Sequence, residues 1–131
     1  MRDVTSRLYI FSTFQNKYTE VENNKVFDSE KFLWEKEYGL KLLPVYGRYK
    51  GQIELSFVIQ GDNNLEKIIE ERCKAHSQES YLVVYSDRFA ELRNLSTGAI
   101  EPLGYWREIS ETVAKGKSSW TKIGDKYFVA E

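Results

Sequence analysis

The chain has one cysteine and one histidine in 131 residues. Cys73 therefore has no internal disulfide partner, and a zinc site of Cys and His ligands lacks the residues to build it. A Ser-His-Asp or Cys-His centre would have to use His76, which falls near a helix end, where solvation or the helix dipole accounts for it. Cys73 sits on an apolar helix stripe and reads as a buried, inert thiol. Charge of one sign is also missing: 19 basic and 20 acidic side chains leave −1, too little to draw the chain to nucleic acid or anionic lipid. A DNA mimic needs a large negative excess. No apolar run approaches the ~20 residues that span a bilayer, and Met1 is followed by Arg2-Asp3-Val4 rather than an apolar leader. A cytoplasmic location is expected. Gly47, Gly51 and Gly61 do not form GxGxxG, and no Walker-type GK(S/T) is read, so nucleotide phosphates have no recognisable cradle.

What is present suits a folded protein. Apolar residues at 41% and charged residues at 30% support a core, and the length suits one domain, so residues 1–131 are read as one unit. Nine Tyr and three Trp supply rings that must fill a core or line a pocket or subunit interface.

Arg7 to Tyr18 roughly alternates apolar with polar and predicts the first strand. Asp28 or Ser29 is the expected cap of a helix through Tyr38, ended by Gly39. Leu42 to Tyr49 and Ile53 to Ile59 predict a hairpin around Lys50-Gly51-Gln52. In its second strand Ile53, Leu55, Phe57 and Ile59 share one face, and Glu54, Ser56 and Val58 the other. Leu65 to His76 predicts a second helix with a stripe of Leu65, Ile68, Ile69, Arg72 and Cys73. Ser80 to Tyr85 is nearly all apolar and predicts a strand buried on both faces. Phe89 to Leu95, Ile100 to Ile109 and a closing hairpin within Trp120 to Val129 complete the reading. The expected architecture is α+β: a mostly antiparallel β-sheet with two helices packed on it.

From Leu43 onward the order of features resembles the phage-encoded enzymes that degrade S-adenosylmethionine, the S-adenosylmethionine lyase family. The resemblance rests on Val45-Tyr46-Gly47-Arg48-Tyr49, the strand ending at Ile59, and a helix followed by Ser77-Gln78-Glu79-Ser80-Tyr81-Leu82-Val83-Val84-Tyr85. It continues through Ala90-Glu91-Leu92, Gly98, Glu101-Pro102-Leu103-Gly104-Tyr105-Trp106-Arg107-Glu108 and the closing Tyr127-Phe128-Val129.

The resemblance implies a lyase that splits S-adenosylmethionine into methylthioadenosine and homoserine lactone without metal or organic cofactor. It also implies a homotrimer with sites at subunit interfaces, and an anti-restriction role through lowered cellular S-adenosylmethionine. Neither nucleic acid nor membrane is an expected partner. The site it implies has Glu54, Glu79 and Tyr46 as catalytic residues and Tyr49, Gln78 and Ser56 as substrate-binding ones. Glu54 and Glu79 would hold the ammonium group or balance the sulfonium, and the tyrosines would orient the substrate or offer a ring to the cation. Gln78, with donors and an acceptor, would bind adenine or the methionine carboxylate.

Plainer readings stand beside these. Glu54 is also readable as a solvent-facing strand residue, and Gln78-Glu79 as a polar loop before a buried strand. Tyr46 and Tyr49 lie on opposite faces of an ideal strand, so only one can face a site unless Gly47 bends it. Trp34, Trp106 and Trp120 read as core or interface rings, with Tyr105-Trp106 as a subunit contact. A hydrolase of the same substrate, and a non-catalytic phage protein that blocks a host enzyme, are the competing functions.

Overall fold

The computed structural model describes residues 6–49 and 51–131; Met1 to Val4 and Lys50, on which the leader and turn readings fall, lie outside the described residues. Among the described residues there are eight strands: β1 Arg7–Ser12, β2 Leu43–Tyr49, β3 Gln52–Gly61, β4 Ser80–Tyr85, β5 Phe89–Asn94, β6 Ile100–Ile109, β7 Trp120–Ile123 and β8 Lys126–Ala130. They close into an antiparallel barrel in the order β1-β3-β2-β7-β8-β6-β5-β4, with β4 pairing back to β1. The helices are α1 Glu20–Leu33, continued by a π-helical turn Trp34–Tyr38, then α2 Leu65–Ala75 and the short α3 Glu111–Lys115.

The expected sheet with two packed helices is thereby corrected. Alternation along a strand records that its two faces differ, and it reads the same in an open sheet and in a barrel. Closure depends on distant pairings such as Tyr46 with Lys122 and Trp106 with Ala130. No local pattern encodes those.

The barrel has a core on each side of its wall. Outside, Tyr9, Phe11, Phe57, Ile59, Tyr81 and Val83 meet Phe27, Trp34, Ile69 and Cys73 of the helical segments. Phe27 stacks on Phe57 with ring centroids 3.9 Å apart, and Trp34 is fully buried. Inside, Ile10, Val45, Val58, Val84, Ala90 and Trp106 pack with Leu8, Leu82, Ile123 and Phe128. The β4 run is therefore apolar on both faces for a physical reason: one serves the barrel and the other the helices.

α1 begins well upstream of the expected cap. Thr19 and Glu22 form a reciprocal capping box, with Thr19 Oγ1 accepting from the Glu22 amide at 3.1 Å and Glu22 Oε1 accepting from the Thr19 amide at 3.0 Å. The buried positions of the helix are Asn23, Phe27 and Glu30, a correctly spaced stripe that is two-thirds polar and so escapes a search for apolar periodicity. Asn23 also explains why β1 stops at Ser12 rather than Tyr18. Its amide clamps the backbone of Gln15, accepting from the N–H at 3.0 Å and donating to the carbonyl at 3.1 Å. That holds the 13–18 loop away from the sheet.

Gly104 permits the last closure. A bulge brings Ala90 opposite Gly104 and Glu91 opposite Pro102, and Gly104 adopts φ +110°. A Cβ there would lie 2.0 Å from the Glu131 carbonyl carbon. The adjacent Tyr105 amide donates to Glu131 O at 2.7 Å, and the Glu131 amide returns to Tyr105 O at 3.0 Å. Among the described residues no helix is long and apolar enough to cross a membrane.

Candidate active site

Antiparallel order brings the ends of β1, β2, β5 and β8 and the starts of β3, β4, β6 and β7 to one mouth of the barrel. A cavity of about 1050 Å³ opens there. Its floor is apolar, formed by Ile10, Leu82, Leu103 and Phe128 above the packed interior. Its rim is made of the 14–17 loop, the 77–79 turn and the 116–119 loop. The rim segments are tied together: Gln52 donates to Asn16 Oδ1 at 2.6 Å, and the Gly51 amide to Ser118 O at 3.0 Å.

Glu54 and Ser56 line the wall because β3 turns its mixed face inward and its apolar face, Leu55, Phe57 and Ile59, toward the helices. Glu54 pairs across the ladder with Gly47, which on its other side pairs with Thr121. A Cβ at Gly47 would meet nothing closer than Trp120 O at 3.8 Å, so its missing side chain leaves free space beside Glu54. Burial pushes the Glu54 carboxyl above its ordinary value of 4.5. Among the described residues it has no cationic or hydrogen-bonding partner to offset that burial.

The other anticipated residues divide. Tyr49 lines the cavity at the mouth, half exposed, whereas Tyr46 is 55% exposed and is not part of the lining. The strand does not bend enough at Gly47 to bring both tyrosines to one face. Gln78 lines the cavity with its amide nitrogen bound to two backbone carbonyls, Phe14 O at 2.6 Å and His76 O at 3.2 Å. Glu79 stands exposed on the rim, its own carbonyl accepting from the Leu95 amide at 2.8 Å.

Three readings are corrected. Trp106 lies inside the barrel, stacked on Phe128 at 5.4 Å and lining the cavity, so it is withheld from any subunit contact; Tyr105 beside it is exposed. His76 is neither solvated nor merely near a helix dipole: its Nε2 meets Glu30 Oε1 at 2.8 Å. A Gly-Lys-Ser triplet does occur, at 116–118 on the rim, but Glu111 stands where a phosphate loop has its first glycine, and the triplet follows α3 instead of leading from a strand into a helix. Cys73 is buried, and burial with the nearby Glu30 and Glu70 charges pushes its thiol up to about 12, which keeps it un-ionised. Ser12 and Thr121, which also line the cavity, carried no sequence signal, since their positions depend on barrel closure. Among the described residues no cluster of His, Cys, Asp and Glu is built to hold a metal ion.

A barrel plugged with apolar side chains at depth and open at one mouth onto a polar, carboxylate-bearing cavity defines a small-molecule binding barrel. The sequence model of the S-adenosylmethionine lyase family matches residues 9–131, and the chain belongs to that family. The match takes in most of the first strand and all of the first helix, which the motif resemblance left out. Membership implies S-adenosylmethionine as substrate and lyase chemistry in general. No curated protein matches the chain.

Proposed function

We propose that the barrel cavity folds S-adenosylmethionine into a ring-closing conformation and releases methylthioadenosine and homoserine lactone. The observation that carries this reading is Glu54: a desolvated, unpartnered carboxylate on the wall of a nucleoside-sized cavity is a ready counter-charge for a cationic ligand. The substrate supplies its own nucleophile. One oxygen of its α-carboxylate bonds to the γ-carbon, the carbon–sulfur bond breaks, and the sulfonium takes the electron pair to leave as a neutral thioether. No proton, metal or organic cofactor enters that balance. Orientation alone can contribute on the order of 7–11 kcal/mol to such an intramolecular step.

Charge bookkeeping assigns the carboxylates. The sulfonium loses its charge during attack, so an anion beside it stabilises the ground state more than the transition state. The ammonium keeps its charge throughout. Glu54 and Glu79 therefore act best by holding the ammonium and fixing the direction of the carboxylate, with Tyr49 and Ser56 placing the nucleoside. Incubation of the purified protein with S-adenosylmethionine, followed by chromatography, is expected to give lactone and methylthioadenosine in equal amounts. Homoserine formed without lactone would make the protein a hydrolase, and no turnover would favour a non-catalytic inhibitor of a host enzyme.

A homotrimer with sites at subunit contacts belongs to the same proposal. Tyr46 and Ile53 are 55% and 58% exposed on adjacent strands, neither under the helices nor in the cavity, and a symmetric contact would cover them. Sedimentation is expected at three times the mass of the chain; a single-chain mass overturns the assembly while leaving the chemistry. In a phage-infected cell the activity would deplete S-adenosylmethionine and so serve anti-restriction.

A further inference from the structure

The Gln78 side chain is held by a hydrogen-bond pattern that restricts what it can recognise. Its Nε2 carries two hydrogens, and two backbone carbonyls, Phe14 O at 2.6 Å and His76 O at 3.2 Å, lie in position to take both. Reversing the amide would set its oxygen against two carbonyl oxygens, so chemistry fixes which atom is nitrogen. Both carbonyls belong to segments fixed close by. The Gln15 backbone next to Phe14 is clamped by Asn23, and the His76 ring is bound by Glu30, which is anchored in turn by Arg72 and by Trp34 Nε1. The Gln78 backbone N–H donates to Cys73 O at 2.9 Å, which pins the residue to the end of α2. With its donors consumed, Gln78 can offer the cavity only Oε1.

We infer that Gln78 is a specificity-determining residue that accepts a hydrogen bond from an amino group of the ligand and cannot bind its carboxylate. This rests on the lyase reading and sharpens it: of the two roles that sequence allows Gln78, only the acceptor role survives. Beside Glu54 and Glu79, an acceptor at Gln78 Oε1 favours N–H donors over a carboxylate oxygen, while Lys17, Arg48 and Lys117 also line the cavity. The donor is either the exocyclic amino group of adenine or the α-ammonium group. They share one chemistry, and ligand analogues separate them.

The first measurement needs no ligand. In the free protein, nitrogen-edited NMR is expected to show one side-chain amide whose two protons exchange slowly with solvent and whose signal is lost in Gln78→Met. Fast exchange of both protons overturns the inference. The second measurement compares calorimetric affinities of wild type and Gln78→Met. For wild type, methylthioinosine, which has a carbonyl in place of the adenine amino group, is expected to bind roughly ten-fold more weakly than methylthioadenosine. That ratio should collapse toward one in Gln78→Met. If instead the variant erases only the preference for S-adenosylmethionine over its analogue lacking the α-amino group, the donor is the ammonium, and the inference holds with that source. If the nucleosides bind and neither ratio changes, the inference fails and the lyase reading stands. Absence of binding by any of them sinks the lyase reading and this inference together, and should Gln78→Met not fold, the exchange measurement on wild type still decides.

Discussion

Glu54→Gln is expected to lower turnover on the order of 10²–10³-fold, the scale set by removal of one preorganised electrostatic partner from a water-poor site. The change keeps the size and planarity of the side chain. It adds no clash, and since Glu54 has no salt bridge among the described residues the thermal midpoint should stay or rise slightly. Glu79→Gln should cost less, because Glu79 stands exposed on the rim, where solvent and salt screen its field. The order of the two losses tests the assignment: equal activity in both variants and wild type would remove these carboxylates from the mechanism. A pH profile adds a second constraint. Burial raises the Glu54 value above 4.5, and only the ionised form can hold an ammonium, so kcat/KM should fall as pH drops through that raised value. The acid limb should therefore lie above the ordinary carboxylate range and disappear in Glu54→Gln. A limb unchanged by the substitution assigns it to another group.

How far sequence could reach is visible in β3. Alternation alone separated Glu54, Ser56 and Val58 from Ile53, Leu55, Phe57 and Ile59, and those two faces are distinct in the structure, with Ile53 left exposed at the end of the apolar one. Which face looks inward was not legible. In an open sheet the apolar face belongs to the core and Glu54 to solvent; a barrel with helices outside has two interiors, and here the more polar face lines one of them. Opposite placement of Tyr46 and Tyr49 was legible from parity, because the ladder runs undisturbed through Gly47. Gln78 was readable as a polar residue before a buried strand, but the fate of its amide hydrogens depends on Phe14, 64 positions earlier in the chain. His76 was misread for the same reason, as its partner is 46 positions away on a helix whose buried stripe is mostly polar.

That polar stripe carries the second large effect. Glu30 is almost fully buried between α1 and α2, where it accepts from Arg72 Nε at 2.8 Å and the Arg72 terminal nitrogen at 2.6 Å, from Trp34 Nε1 at 2.8 Å and from His76 Nε2 at 2.8 Å. Burial alone would raise its carboxyl, but the hydrogen bonds from Arg72, His76 and Trp34 outweigh that and hold it at about 2. Breaking a buried pair by removing one partner costs about 3–5 kcal/mol. Arg72 keeps 23% exposure and can rehydrate, so Glu30→Gln should sit near the lower end, about 3 kcal/mol in urea denaturation at pH 7. Replacing both partners with apolar residues, Glu30→Leu with Arg72→Met, should recover much of the loss, since no charge is then left buried alone. The pH dependence has a fixed sign. A carboxyl depressed in the folded state stabilises above its unfolded value near 4.5, and that contribution is lost as pH falls toward 2, because unfolding then takes up a proton. The stability gap between wild type and Glu30→Gln should therefore narrow from pH 4.5 downward and stay constant above it. A gap that instead narrows as pH rises above 4.5 would mean that Glu30 is held as a neutral acid, with an uncharged bond to His76, and a gap that does not change with pH would mean that folding leaves its carboxyl unshifted.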